Sequence, residues 1–493
     1  MRVLPLQWSC LAGLSFLLTS CMMGPNFHSP AVPQVSGYTE SPQAEKTTRT
    51  LHAGNAGKAQ YFVSGQDIPA AWWSLFHSSA MNSLIQAGLA HSPNLLAAKA
   101  TLQQAEENLT AQIGTSLYPQ VTGQLTGQRE RFNSASFGST TPASIFNLYN
   151  ASVNVSYTLD FFGAARRQVE AMRAEVDYGQ YELDAAYLTL TSNIVTTAIT
   201  VASYQAQIAA TEDIIHSQES QLAILKKQLA LGGTAGVNVL NQATLVAQTR
   251  ATLPPLEQSL VQSKHALAVL VGEFPASFQM PNIQLDQLNL PAHLPLSLPS
   301  QLVRQRPDIQ ASEALLHVAS ANVGVATANL YPQITLSGSY GWQAATVSNL
   351  FKNSTSLWNY GGSLLQPVFD GGTLRARKRA AIAGYQIAAA QYEQVVLQAF
   401  QNVADTLRAL QHDAESLRAQ KLAENSARDA LHVMYAQYRL GGVSYALVLT
   451  AEQQYQQAHI ARVQAQAARY SDTAALFQAM GGGWWNVHDG VKG

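Results

Sequence analysis

The tetrapeptide LYPQ stands at 117–120 and again at 330–333 of the 493-residue chain, and the repetition reaches well beyond it. HSPNLLAAKATLQQAEENLTAQIGTSLYPQ at 91–120 is echoed by QRPDIQASEALLHVASANVGVATANLYPQ at 305–333. YTLDFFGAARRQVEA at 157–171 is echoed by PVFDGGTLRARKRAA at 367–381, and LALGGTAGVNVL at 229–240 by YRLGGVSYALVL at 438–449. A spacing of roughly 210 residues at every landmark means that one unit was duplicated. Each copy reads as helix, strand, loop, strand, very long helix, Gly-Gly turn, helix.

The long helices carry the clearest periodicity. Tyr187, Ile194, Val201, Ile208, Ile215, Leu222 and Leu229 fall seven apart, with Leu183, Leu190, Tyr204 and Leu225 on the companion register. That is a heptad seam, so the helix packs in a coiled coil. Val396, Val403, Leu410, Leu417, Leu431 and Tyr438 repeat it in the second copy, interrupted by Glu424. No proline interrupts 163–230 or 372–438, so each can run about 68 residues, on the order of 100 Å. The shorter helical segments 84–116 with 236–270, and 300–329 with 445–480, match that length when stacked end to end.

The strands decide what these rods are attached to. In 120–130, Val121, Gly123, Leu125 and Gly127 alternate with Gln and Thr, and 151–159 alternates in the same way. Ile334, Leu336, Gly338, Tyr340 and Trp342 alternate with Thr335, Ser337, Ser339 and Gln343, and 359–369 follows more loosely. An apolar face backed by an uncharged polar face fits an outer-membrane barrel strand, though a soluble sandwich gives the same alternation. Aromatics near the strand ends, among them Tyr118, Phe132, Tyr149, Trp342 and Trp358, favour interfacial belts. Four strands cannot close a spanning barrel, and an open edge in lipid leaves backbone groups unpaired. Several protomers must share one barrel, and the trimer, with twelve strands, leaves a lumen.

Composition and the N-terminus fix the surroundings. Charged residues are only 12% of the chain, against roughly 25% for soluble proteins, and the net charge of −1 gives no case for nucleic acid. The apolar run CLAGLSFLL at 10–18 is too short to span a bilayer and reads as a signal-peptide core. It ends in LTSC at 18–21, which resembles a lipobox and makes Cys21 the candidate diacylated lipid anchor. Met22 follows, where an aspartate would mark inner-membrane retention. Cys10 leaves with the signal, so the mature chain has no internal disulfide.

These residues resemble the outer-membrane factor family of bacterial tripartite efflux systems, in its NodT-type lipoprotein branch. The motifs are CMMGPNFHSP, LPPLEQSLVQSKHALAVLVGE at 253–273, LPSQLVRQRPDIQASEALL at 298–316, PVFDGGTLRA at 367–376 and FQAMGGGWW at 477–485. The resemblance implies a mixed α and β membrane protein: a trimeric, twelve-stranded outer-membrane β-barrel continuing into a long periplasmic α-helical coiled-coil barrel. The expected organisation is a lipoprotein signal peptide at 1–20, an anchor and N-terminal equatorial segment at 21–83, a first repeat at 84–272, an equatorial linker at 273–299, a second repeat at 300–480 and a C-terminal tail at 481–493. The implied partners are two further copies, a periplasmic adaptor (membrane fusion) protein, an inner-membrane RND-type transporter and outer-membrane lipid. No cofactor or metal is expected.

The Gly-Gly turns, Gly232–Gly233 and Gly441–Gly442, would join antiparallel helices at a periplasmic tip, with Tyr438 and Arg439 in the adaptor contact. Relatives often carry an aspartate where Val443 stands and another carboxylate at Thr450. A pore constriction through Val443, Ser444 or Tyr445 is therefore expected in place of an aspartate ring. Two basic clusters, Arg166, Arg167 and Arg173, then Arg375, Arg377, Lys378 and Arg379, could face lipid phosphates, line the lumen or be solvated helix starts. Catalysis has no support: HExxH, GxxxxGK[ST] and GxSxG are all missing, and the twelve histidines lack ligand spacing. A TolC-like exit for secreted proteins shares the architecture, and a non-conducting scaffold would explain the heptads but not the strands.

Overall fold

The computed structural model describes residues 22–35, 37–133, 138 and 142–486. Its helices are α1 (Ser79–His91), α2 (Pro93–Leu117), α3 (Ala164–Ala230), α4 (Gly236–Arg250), α5 (Leu253–Leu270), α6 (Pro299–Gln305), α7 (Pro307–Ala328), α8 (Thr373–Arg439) and α9 (Tyr445–Ala479). The strands are β1 (Tyr61–Ser64), β2 (Gln120–Phe132), β3 (Ser144–Leu159), β4 (His293–Leu296), β5 (Gln333–Ala344) and β6 (Ser356–Leu365).

The two proline-free stretches are unbroken helices of 67 residues each, α3 and α8. Both begin under an aspartate. Asp160 accepts from the Ala165 and Arg166 amides at 3.1 and 3.0 Å, and Asp370 accepts from Gly372 and Leu374 at 2.8 Å. A carboxylate there satisfies orphan N–H groups and meets the positive end of the helix dipole. Amide donors from Leu374 and Gly372 accordingly hold the Asp370 carboxyl below its ordinary pKa.

Three of the four shorter segments are not single helices. α1 stops before Pro93 and α6 before Pro307, because proline pushes the preceding residue out of the α region; Ser92 and Arg306 have ψ of 120° and 123°. The 236–270 segment breaks at Ala251–Thr252, ahead of Pro254 and Pro255. Only 445–480 stays whole, as α9.

The chain forms two compact units, and each draws on both repeats. The first comprises residues up to Pro30 with Thr101–Gln180 and Ala311–Glu393. It holds a four-stranded antiparallel sheet in the order β2-β3-β5-β6. The register aligns every apolar row: Val121 faces Val155, Val153 faces Tyr340, Tyr157 faces Leu336, and Tyr340 faces Trp358. Polar rows align likewise, Asn154 with Ser339 and Ser339 with Asn359, and the Thr158 and Thr335 hydroxyls meet at 3.1 Å. The sheet thus has one apolar and one polar face, and Val121 and Leu125 are 65% and 76% exposed on the apolar one. β2 pairs only with β3 and β6 only with β5, so among the described residues the outer edge of each is without a partner strand. β3 begins seven residues earlier than the alternation suggested, and β6 covers 356–365 rather than 359–369. It ends short of Pro367, which cannot donate to a ladder.

In the same unit Arg167 is 1% exposed. Its guanidinium donates to Glu170 at 2.7 Å, to the Met23 carbonyl at 3.2 Å and to Asn26 Oδ1 at 2.7 Å. Glu170 meets His317 Nε2 at 3.0 Å, and His317 stacks on Phe27 at 4.3 Å. Of the first basic cluster, then, Arg167 is buried within the chain rather than solvated, and Arg166 pairs with Asp160 at 3.1 Å. Arg375, Arg377 and Arg379 are exposed.

The second unit comprises Ala31–Ala100, Tyr181–Gln310 and residues from Gln394 on. N-terminal, linker and C-terminal segments meet here. β1 pairs in parallel with β4, and Tyr38 donates to the Ser297 carbonyl at 2.8 Å. Trp485 Nε1 donates to Asp67 at 2.9 Å, and Trp72 stacks on Phe477 at 5.2 Å. Arg469, fully buried, donates to the Ala56 and Lys58 carbonyls, Thr47 and Gln60.

α3 contains a stretch long and apolar enough to cross a membrane, but that stretch belongs to this core, with Ile194, Val195, Ala198, Ile199 and Val201 all buried. Beside the heptad row lies a second buried row, Thr191, Gln207, Thr211 and Gln218, whose polar side chains hide it in the sequence.

Candidate functional site at the Gly-Gly turns

Residues 231–235 and 440–444 connect α3 to α4 and α8 to α9, and the two connections are built alike. Gly233 N–H donates to the Gln228 carbonyl at 2.8 Å, and Gly442 N–H to the Gln437 carbonyl at 2.9 Å. This six-to-one bond is the signature of a Schellman cap, which requires a left-handed residue just past the helix. Gly232 and Gly441 supply it, with φ of +75° and +76°. The second glycine of each pair has no positive φ, so within each Gly-Gly motif only the first is demanded by the backbone.

Behind the turns, Leu225, Tyr445 and Val448 form a small buried core with Val239, Leu431, Met434, Tyr435 and Tyr438 packed around it. Tyr438 and Tyr445 have ring centroids 5.0 Å apart, and the Tyr438 hydroxyl lies 3.3 Å from Thr234 Oγ1. Tyr445, one of the three residues expected at a pore constriction, is 2% exposed. Its hydroxyl donates to Gln242 Oε1 at 2.7 Å, so its ring fills the space between helices and presents no free face. Val443 is half-buried, Ser444 and Arg439 are exposed, and Leu231 and Leu440 stand 87% exposed at equivalent positions of the two turns. Cys21 lies outside the described residues.

The sequence reading missed a polar network one helical turn deeper. Gln242 Nε2 donates to the Gln218 carbonyl at 3.0 Å and lies 3.5 Å from Glu452 Oε2, while the Tyr435 hydroxyl donates to Glu452 Oε1. Residues from α3, α4, α8 and α9 are thereby joined. Glu452 is 6% exposed, and burial pushes its carboxyl up to about 7. Glu424, equally buried, behaves in the opposite way. Burial raises its pKa, but hydrogen bonds from Lys421 and His459, both at 2.6 Å, and the Arg462 charge outweigh burial and leave it lowered. The difference is the partner: Lys421, Arg462 and the His459 imidazole surround Glu424, and Glu452 has only a phenol and an amide. One signal was available, since Tyr445, Val448 and Glu452 share a heptad face, a register that normally excludes a carboxylate.

Comparison with known proteins gives consistent matches. The family model described as "Outer membrane efflux protein" matches residues 84–273 and 298–482. The chain is 29% identical over 454 residues to the pyoverdine export outer membrane protein OpmQ of Pseudomonas aeruginosa, covering 90% of this chain and 95% of that one. It is 28% identical over 471 residues to the cation efflux system protein CusC of Escherichia coli, covering 95% and 98%. The solved structure of the outer-membrane channel OprN superposes with a TM-score of 0.84 at 26% identity, covering 94% of this chain and 100% of that one.

Proposed function

We propose that this chain, which belongs to the outer membrane efflux protein family, serves as the exit duct of a tripartite pump that carries small toxic compounds out of the cell. It is an outer-membrane efflux channel, and three chains close one twelve-stranded barrel. The observation that carries the reading is the sheet with its continuous apolar face and two unpaired edges. Such a surface is stable only in lipid and only when neighbouring copies pair the edges. Relatives are named for pyoverdine export and for cation efflux, so the cargo proposed here is a class of small solutes rather than one compound.

In this reading Cys21 carries the lipid anchor. The turns at Gly232–Gly233 and Gly441–Gly442, with Arg439 and the exposed Leu231 and Leu440, meet a periplasmic adaptor that links the duct to an inner-membrane transporter. Val443 and Ser444 border the constriction, and Tyr438 and Tyr445 brace it from within. The test is single-channel conductance of the detergent-purified protein in a planar bilayer, alongside its mass. A trimer with low resting conductance that rises on mutation of the turns supports the duct, and a monomer or a trimer that never conducts overturns it.

A further inference from the structure

We propose that Glu452 is a gating residue: with its carboxyl neutral the helices behind the turns stay closed around it, and its ionisation drives the α3–α4 and α8–α9 pairs apart. The inference rests on reading these turns as the closed end of the duct.

Three observations carry it. Glu452 sits where all four helices converge, bonded to Tyr435 of α8 and beside Gln242 of α4, which Tyr445 of α9 and the Gln218 carbonyl of α3 hold in place. Among the described residues no cation pairs with it. The groups facing it are Tyr435 from α8, Asp213 and Gln218 from α3, and Tyr455 and His459 from α9, while α4 offers only Gln242. His459, Lys421 and Arg462 are committed to Glu424, and Arg428 lies 3.2 Å from Asp429. Finally, Glu452 borders a cavity of about 310 Å³ into which water can follow a charge. Both polar atoms of the 2% exposed Gln218 side chain there lack a protein partner.

An uncompensated buried carboxylate is costly, and separating the helix pairs hydrates it. Its pKa is about 7 when closed, against an ordinary 4.5 when hydrated. The closed state therefore binds the proton more tightly and is favoured by acid. As pH rises from 4.5 to 7 the closed-to-open ratio falls by on the order of a hundredfold per protomer, and above 7 it is level.

The experiment compares wild type with Glu452→Gln, a neutral mimic, between pH 5 and 8. The expected wild-type conductance rises from pH 5 to 7 and then plateaus, and the variant stays low throughout. Proteolytic cleavage at 231–235 and 440–444, read as the rate ratio of wild type to variant at each pH, reports the same opening without conduction. A ratio of only a few at pH 5 that climbs at least tenfold by pH 7.5 is the expected result. Equal ratios at both pH values, or an unchanged pH response in Glu452→Gln, overturn the inference. Climbing cleavage in a protein that never conducts leaves the latch standing and sinks the duct.

Discussion

Gly232 and Gly441 hold the same left-handed conformation at equivalent places in the two repeats, φ +75° and +76°, each followed by a glycine that does not. A Cβ in that conformation costs about 1 kcal/mol. Gly232→Ala and Gly441→Ala should each loosen their turn by about that much, raising protease cleavage at 231–235 or 440–444 several-fold. Gly233→Ala and Gly442→Ala, with no atom closer than 3.5 Å to the added carbon, should leave cleavage unchanged.

Arg167 fastens the residues that follow Cys21. Its guanidinium holds Met23, Asn26 and Glu170, and Gly24 and Gly324 approach so closely that a Cβ on Gly24 would lie 2.5 Å from the Gly324 Cα. Removing one partner of a buried ion pair costs about 3–5 kcal/mol. Arg167→Met should release the arm at 22–28, seen as rapid hydrogen exchange there while the detergent mass stays trimeric. Unchanged protection would show that the arm is held by other contacts.

Asp413 lies beside Asp472, and burial together with that neighbour pushes its carboxyl up to about 7, against an ordinary 3.8, despite the opposing Arg469 charge. An acid raised in the folded state binds its proton more tightly there, so its contribution is full below pH 3.8 and is lost as pH climbs through 7. Thermal stability should decline over that interval, and Asp413→Asn should flatten the decline. A variant with the wild-type pH profile would assign the decline to other groups.

The two faces of β2 make opposite predictions for adjacent residues. Leu125→Arg puts a charge on the apolar face, costing about 2–4 kcal/mol near the bilayer midplane, whereas Thr126→Arg lies on the polar face and should be tolerated. Heat-modifiable migration of the folded trimer separates them: it should be lost for the first and kept for the second.

Much of this architecture is legible in the residues because its punctuation is local. Pro119 and Pro332 precede the strands, Asp160 and Asp370 cap the long helices, and Gly232 and Gly441 end them; the expected bounds 163–230 and 372–438 differ from the observed helices by one residue. The breaks at Ser92 and Arg306 are equally local, each set by the proline that follows. What lay beyond reach was non-local. Nothing adjacent to Arg167 or Arg469 says that each is buried by a segment over 140 or 400 residues away. Likewise nothing adjacent to Tyr445 says that it is buried, with its hydroxyl held by Gln242 from the other repeat.

The open edges of β2 and β6 have a genetic consequence. Each defective chain that still pairs one edge occupies a place in a ring that it spoils for two sound partners. When sound and defective copies are made equally and mix at random, about one trimer in eight is wholly sound. An allele damaged in the helices or turns but intact in the strands should therefore be dominant, while one that loses the strands should be recessive, since it never enters the ring.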